Sequence, residues 1–528
     1  MPKGVSPKPV FKAYHQHQIT LLPASLEELI PPGHAVRVVS SVVDRMELES
    51  LLSSYDGGGA SRYHPRMLLK VVLYAYLDGV RSSRRIAKAL RENVHYMWLA
   101  GSQRPDFRTL NRFRASHLKQ TIEEVFVSLT ALLVEVGLVT LSEMFVDGTK
   151  IEAQANRYSF VWGKAVQTQK ARLETQVREL LTQIEAENAA EQARYGDRDL
   201  EEVGEDAAPI TAEQLEQTAR EMEARLAEQA KESDDPQPGK TLKQVVKQIR
   251  KDLLPRLQKY EQQQEILGER NSFSKTDPDA TFMRMKEDHM RNGQLKPGYN
   301  VQISTEQQFI TNVTVHQNPT DTKTLTPHLD HFRELYGVDP QVVVADAGYG
   351  SAENYRELAA RGATAYVKYN TFDREQKRPR KDSALDTTDF VYDGETDSYT
   401  CPAGQTLAPF GVRRSHGQEL RIYEAEDCTA CPLKARCCPK YATRRLHVND
   451  DVEGYRQQAR ELLNSPPGLE YLSRRMIEVE SVFGQIKHNG NFRRFLLKGL
   501  DKVKTEFHLV AIAHNLKKWW ATASPCPA

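Results

Sequence analysis

Cysteine is scarce in this chain, and where it occurs it is bunched. Six cysteines in 528 residues are too few for a secreted scaffold braced by disulfides. Five of them fall in two stretches, "CPAGQTL" from residue 401 and "CTACPLKARCCPK" from residue 428. No apolar run is long enough to cross a bilayer, and the opening "MPKGVSPKPVFKAYHQHQ" lacks the apolar stretch of a signal peptide. The sequence therefore reads as soluble and cytoplasmic, with no membrane partner. Net charge is also nearly absent, with 72 Lys and Arg against 71 Asp and Glu, so bulk charge selects no partner.

The distribution of that charge is uneven. Residues 62–119 carry 13 Lys/Arg against 3 Asp/Glu, residues 172–235 carry 7 against 19, and residues 471–528 carry 10 against 4. Two basic regions flanking an acidic one point to a polyanion partner at the ends and a solvated spacer between them.

Residues 1–140 read as a helical domain. "RMLLKVVLYAYLDGV" is an apolar helix closed by Gly79, "RSSRRIAKALRENVHYMWLAG" follows with Ser82 or Ser83 as cap, and "DFRTLNRFRASHLKQ" is a third short basic helix. Short helices, glycine turns and exposed arginines, Arg84 and Arg85 among them, fit a helix-turn-helix that contacts DNA. A helical bundle with a solvated basic face fits the same pattern.

Two short apolar runs each meet an aspartate. "MFV" runs into Asp147 and Gly148, and "VVVADAGYG" into Asp346 with two glycines beyond it. Each reads as a buried strand with a carboxylate at its end. "YNVQIST" and "FITNVTVHQ" add strands. "TKTLTPHLDHFREL" adds an amphipathic helix with Asp321 or Thr322 as its cap. Strands with intervening helices define an α/β core of mixed sheet over 141–160 and 268–370. Between the two parts, residues 161–267 have a helix-forming composition. Leu242, Val246, Ile249, Leu253, Leu257 and Tyr260 repeat on one face, and "ESDDPQPGK" breaks the pattern, as in an inserted charged helical hairpin. Near the C-terminus "RRMIEVESVFGQIK" reads as a helix burying Val479, Phe483 and Ile486. Glu480, Gly484 and Lys487 share another face of it.

These motifs together resemble the bacterial insertion-sequence DDE transposases, of the branch with a four-cysteine insertion near the C-terminus. "FVDGTKIEA" and "VVVADAGYG" are similar to the two aspartate strands of that family, and "VESVFGQIKHNGNFRRFLLKGL" to its glutamate helix. The resemblance implies a ribonuclease H-like α/β core with catalytic carboxylates Asp147, Asp346 and Glu480. It further implies two Mg²⁺ (or Mn²⁺) ions held by those three residues, with Arg474, Lys487, Arg493 and Arg494 on the DNA backbone. The family signature Tyr-x2-Arg-x3-Glu-x6-Lys fits only in halves. Glu480 and Lys487 satisfy its second half, whereas Tyr471, Arg474 and Glu478 satisfy its first, which leaves Glu478 as the alternative to Glu480. The implied activity is cutting element ends in double-stranded DNA and joining them to a target, by a homodimer or larger assembly at the nucleoid. A non-catalytic DNA-binding derivative and a nuclease of the same fold are the competing readings.

Residues 371–450 form a cysteine-rich insertion, and 451–528 hold the C-terminal helices with the glutamate. Cys428-x2-Cys431 has the spacing of a zinc knuckle. Cys437 and Cys401 complete a tetrahedral structural Zn²⁺ site, Cys438 can replace Cys437, and Cys526 reads as free. Such a loop-rich segment is expected to depend on the metal for its fold.

Overall fold

The apolar run before Asp147 belongs to a strand that pairs on both sides, which puts it at the centre of a sheet. The structure is a computed structural model. It describes residues 25–55, 62–195, 210–232, 239–285, 294–376, 385, 387–415 and 418–523; Cys526 and most of "ESDDPQPGK" lie outside them. Two compact units divide the chain, one holding the described residues up to Leu129 with those from Ile512 onward, the other Thr130–Ala511. Among the described residues no helix is long and apolar enough to cross a membrane.

The larger unit is mixed α/β. Its main sheet contains β1 (Glu143–Glu152), β2 (Thr281–Arg284), β3 (Leu295–Glu306), β4 (Phe309–His316), β5 (Val342–Ala345) and β6 (Thr364–Val367). β1 lies antiparallel to β3 and parallel to β5, and β5 is parallel to β6. The other edge of β3 is shared, with β2 against Leu295–Gly298 and β4 against Asn300–Glu306. β5 is a continuous apolar run buried over Val343–Ala345, as expected of a strand covered on both faces. The sequence predicted that the first aspartate strand stops at Asp147. It continues to Glu152, because residues 148–152 pair with Gly298–Gln302 of β3.

Helices Leu325–Tyr336, Ala352–Ala360, Asp450–Asn464 and Pro466–Arg475 pack on these strands. The last two have evident starts. Asn449 accepts from the Val452 N–H, with Asp450, Asp451 and Glu453 in the first turn. Ser465 accepts from the Gly468 N–H ahead of a proline-led first turn. Both satisfy otherwise unpaired helix N–H groups. Helix Leu325–Tyr336 begins after Thr324 with no side-chain cap, so neither Asp321 nor Thr322 has the capping role predicted for it.

The charged insertion has its own apolar core, built from Leu173, Val177, Leu215, Ala219, Val246, Ile249, Leu253 and Leu257. It consists of helices Gly163–Tyr195 and Ala212–Glu232 and a third stretch, Gly239–Leu267, that passes through a π turn at Ile249–Leu253. Among the described residues three helical segments stand where a hairpin was predicted. The cysteine-rich insertion is not loop-rich. β7 (Val391–Asp393), β8 (Ser398–Thr400), β9 (Thr406–Ser415), β10 (Gln418–Ala425) and β11 (Arg445–Val448) form an antiparallel sheet. Tyr399, Leu407, Tyr423, Leu446 and Val448 give that sheet a core, which buried Cys428 and Cys438 share.

In the smaller unit, helices Ala35–Arg45, Pro65–Leu77, Ser83–Glu92, Val94–Leu99 and Phe107–Arg112 pack around buried Leu69, Val72, Ile86, Leu90 and Leu110. Ser83 does not cap its helix: its hydroxyl accepts from the buried Arg114 guanidinium at 2.7 Å, and Arg114 also reaches the Arg81 carbonyl at 2.7 Å.

The entry to β1 is fixed by one buried carboxylate. Glu306, at the end of β3, accepts from the N–H groups of Thr140 (2.9 Å) and Leu141 (2.7 Å), where Leu141 holds a left-handed φ of 63°. Removing the acceptor strands two backbone donors. Glu306→Ala is expected to destabilise the larger unit by about 1–3 kcal/mol in urea unfolding, and an unchanged midpoint would show that β1 is held elsewhere.

Candidate catalytic carboxylate centre

The parallel register of β1 and β5 sets Val146 opposite Ala345. Asp147 and Asp346 each follow by one residue, so the two carboxylates stand side by side. Asp147 is buried, at 6 % exposure, and accepts from the Gly148 N–H at 2.8 Å. Asp346 leaves β5 into a short 3-10 turn and accepts from the Gly348 N–H at 2.9 Å.

Glu480 arrives from the helical run that begins at Pro466. That run changes to a π turn over Met476–Glu480, resumes as α over Ser481–Gly484, and forms a second π turn over Gln485–Asn489. In an unbroken α-helix, residues five apart point about 140° away from each other. The wider π turn, which bonds i to i+5, brings them toward one side. Arg475 and Glu480 accordingly meet, with Nη1 3.3 Å from Oε1. The same guanidinium lies 3.5 Å from Asp346 Oδ2 and 3.8 Å from Asp147 Oδ1. Three carboxylates from two strands and a helix thus surround one buried cation.

Glu478 goes elsewhere. It is buried, accepts from the Gln308 N–H at 2.6 Å, and lies 4.0 Å from Arg474. Tyr471 and Arg474 both bind Glu143 at the start of β1, Tyr471 Oη at 2.9 Å and Arg474 Nη2 at 2.6 Å. Burial pushes the Glu143 carboxyl up, but these two hydrogen bonds outweigh it and hold it below its usual range. Burial and the bond to Glu143 push Tyr471 up to about 12. Arg474, expected on DNA, is instead spent on this clamp between helix and strand.

Two further residues expected on DNA hold backbone carbonyls, Lys487 from a buried position and Arg494 from an exposed one. Lys487 is buried and donates to the Lys150 carbonyl at 3.1 Å, and Arg494 donates to the carbonyls of Ala153 and Ala155 at 3.1 Å each. Lys487 is therefore buried while Glu480 is about half exposed, because two π turns disturb the α phase that would give them one face. Arg493 is exposed, with Nη2 3.2 Å from His488 Nδ1. In the smaller unit Arg84 and Arg85 are exposed, and Arg84 lies over the Phe107 ring.

A fourth carboxylate, missed in the sequence, stands beside the centre. Asp321 Oδ1 accepts from Asn300 Nδ2 (2.8 Å) and Gln302 Nε2 (2.9 Å), two fully buried amides on one face of β3. Tyr349 donates to Gln302 Oε1 from the other side. Burial first, then the charges of Asp147, Asp321 and Asp346, push the Tyr349 hydroxyl well above its ordinary value. The glycines after each aspartate make room for this group. A Cβ on Gly148 would run into the Gln302 amide and come within 2.7 Å of Asp321 Oδ1. One on Gly348 would lie 3.0 Å from Asp346 Oδ1 and 3.6 Å from Asp321 Oδ2.

The cysteines form a separate cluster at one end of their sheet. Cys401 follows β8, and Cys428, Cys431, Cys437 and Cys438 lie between β10 and β11. With Leu385, Leu407, Leu433 and Arg444 they line one cavity. Cys401 Sγ accepts from the Gln405 N–H at 3.2 Å. Burial, and after it mainly the neighbouring thiols, push Cys428 and Cys438 up; burial likewise raises Cys437, against the opposing charge of Arg444. As they stand, no three His, Cys, Asp or Glu side chains among the described residues are spaced to share one metal ion. At the carboxylate centre, the space between the acids holds a guanidinium.

Residues 400–520 match the family model described as a transposase DDE domain, and residues 24–116 match one described as a transposase domain, DUF772. The first span includes Glu480 and the cysteines, and the second includes Arg84 and Arg85. Both matches support a transposase, and the first a DNA-cleaving enzyme. No curated protein matches the chain.

The glycine at 148 offers a direct check on the fourth carboxylate. Gly148→Ala would push the Gln302 amide off Asp321 and leave buried polar groups unpaired, at a cost of roughly 1–3 kcal/mol. The expected result is a lower melting temperature that Gly484→Ala, at a site with open space around it, does not reproduce. Equal stability of the two variants would show that the Asp321 network is not tightly held.

Proposed function

We propose that this chain is a DNA transposase in which Asp147, Asp346 and Glu480 hold the divalent ions that cleave element ends and join them to target DNA. One observation carries the reading: carboxylates separated by up to 333 residues of sequence meet around a single cation. The strand order supports it. Strands β4, β3, β1, β5 and β6 lie side by side, with β1, β5 and β6 parallel, the arrangement of a ribonuclease H-like core. The donor set suits Mg²⁺, being all carboxylate oxygen, and a cation already stands among the three. When bound, two such ions supply Lewis-acid stabilisation and an activated nucleophile for in-line displacement at phosphorus.

The protein's own residues do the positioning. The β1–β5 register sets the two aspartates side by side, and the Asn300–Gln302–Tyr349 network fixes the wall behind them. The Tyr471–Arg474–Glu143 clamp holds the glutamate helix on β1. Exposed Arg84 and Arg85, and exposed Arg493 beside the far end of β1, are surface cations that suit DNA phosphates. Glu480 is the triad member, since Glu478 is engaged away from the aspartates. Asp346→Asn and Glu480→Gln are expected to lower end cleavage at least about a hundredfold, the upper loss seen for mere outer-shell partners of a metal, while end binding persists. Glu478→Gln should lower stability and retain cleavage. Cleavage that survives Glu480→Gln and is lost in Glu478→Gln would reverse the assignment. Cleavage without joining would make the enzyme a nuclease.

We further propose that Cys401, Cys428, Cys431 and Cys437 close on one structural Zn²⁺, with Cys438 as the substitute for Cys437. Five thiols on one cavity, one of them already accepting a backbone N–H, form a donor set suited to that ion. The protein purified without added metal should contain about one equivalent of zinc, and Cys431→Ser should lose it with the five-stranded sheet intact by circular dichroism. A zinc-free wild type with freely alkylated thiols would refute the site.

A further inference from the structure

We propose that Arg475 is the built-in counter-ion of the carboxylate centre: its guanidinium keeps Asp147, Asp346 and Glu480 gathered in the metal-free chain, and a divalent cation binds there by displacing it. The inference rests on the reading of these carboxylates as a metal site.

Arg475 is nine-tenths buried. A buried cation needs anionic partners, and among the described residues its ion pairs go to the three acids and to no other group. None of the three contacts has the 2.7–2.9 Å length of a strong charge-assisted bond; they measure 3.3, 3.5 and 3.8 Å. The flat fork of the guanidinium pairs with no carboxylate in the two-bond manner that makes arginine a tight binder. Its Nε is buried without a hydrogen-bond partner. The side chain is therefore centred among the acids by charge and held by a single long hydrogen bond to Glu480, which suits a group that must leave.

Its position on the chain makes leaving feasible. Arg475 ends the α-helical segment Pro466–Arg475, and the π turn begins at the next residue. Clamping of this segment to β1 is done by its neighbours Tyr471 and Arg474 through Glu143. The side chain can swing without undoing the contact that holds the helix. A guanidinium and a divalent ion cannot occupy one point between the same carboxylates, because their mutual repulsion would offset the attraction each gains. Arg475 is thus a positioning residue that sets how tightly the centre takes up metal.

The test is calorimetric titration of Mn²⁺ into the full chain without DNA, for wild type, Arg475→Gln, Arg475→Lys and Asp346→Asn. Arg475→Gln is expected to bind Mn²⁺ at least about tenfold more tightly than wild type, the size of effect one charge exerts on another at 4–6 Å. It should also melt at a lower temperature than wild type in EDTA, where the acids have lost their counter-ion. Arg475→Lys, which keeps the charge and the fold, should bind with near-wild-type affinity. Binding that appears only in Arg475→Gln supports the proposal equally. Unchanged or weaker binding in Arg475→Gln overturns it, and so does tighter binding in Arg475→Lys should the glutamine variant not fold. In both cases the metal reading stands if Asp346→Asn abolishes the wild-type signal. If no variant shows Mn²⁺ binding that depends on Asp346, both the proposal and the metal reading fall.

Discussion

Carboxylates gathered at one point repel each other, and a fold that gathers them must place a positive charge among them or pay for their crowding. In this protein backbone geometry brings them to one place, and the charge of Arg475 holds them there. The parallel register of β1 and β5 leaves no freedom in the spacing of Asp147 and Asp346. The clamp of Tyr471 and Arg474 on Glu143 fixes where the helix approaches the sheet, and the π turn fixes which side of that helix Glu480 leaves from. Arg475 then neutralises what the backbone has assembled. The glycines at 148 and 348, the buried amides of β3 and the carboxylate of Asp321 are arranged around that balance.

The parts of this arrangement readable in the sequence were those with a strong local signal. "VVVADAGYG" announces a buried strand ending in a carboxylate, and the strand does end there. "VESVFGQIK" places Val479, Phe483 and Ile486 inside, and they are inside. The spacing of apolar residues from Leu242 to Tyr260 marks the face that builds the core of the helical insertion. The misses share a physical origin. Asp321 a few residues ahead of a helix has the sequence signature of a cap, and only tertiary structure turns its carboxylate toward β3. Arg475 sits in a basic region that reads as facing a polyanion, and only the fold turns it in among the carboxylates. Arg474 and Lys487 carry the composition of a DNA contact, yet one is spent on Glu143 and the other on a carbonyl of β1. Asp147 looks like a strand end because glycine follows it, whereas the glycine serves the Asp321 network and the strand runs on.

The cysteine-rich segment shows the same limit from the other side. Its strands alternate weakly, mix arginines with apolar residues, and leave Val391, Phe410 and Val412 exposed. Tyr399, Leu407, Tyr423 and Leu446 become a core only when five strands are laid together. The register that pairs Leu407 with both Tyr399 and Ala425 also delivers Cys401 and Cys428 to the same end of the sheet. The thiols and the sheet share one core, so the strand pairing that spacing alone does not reveal is what brings them together.

The π turn at Met476–Glu480 separates two jobs that one helix would otherwise perform in lockstep. Upstream of it, the helix is phased to grip β1; downstream, it is phased to present a carboxylate. The extra residue acts as an adjustable coupling between the two phases. A plain α-helix of the same length over 476–480 would set Glu480 about 140° around the axis from Arg475, with every contact of Tyr471 and Arg474 preserved. The centre would then come apart by rotation alone. The winding of this turn is therefore as much a determinant of the site as the identity of the acids in it.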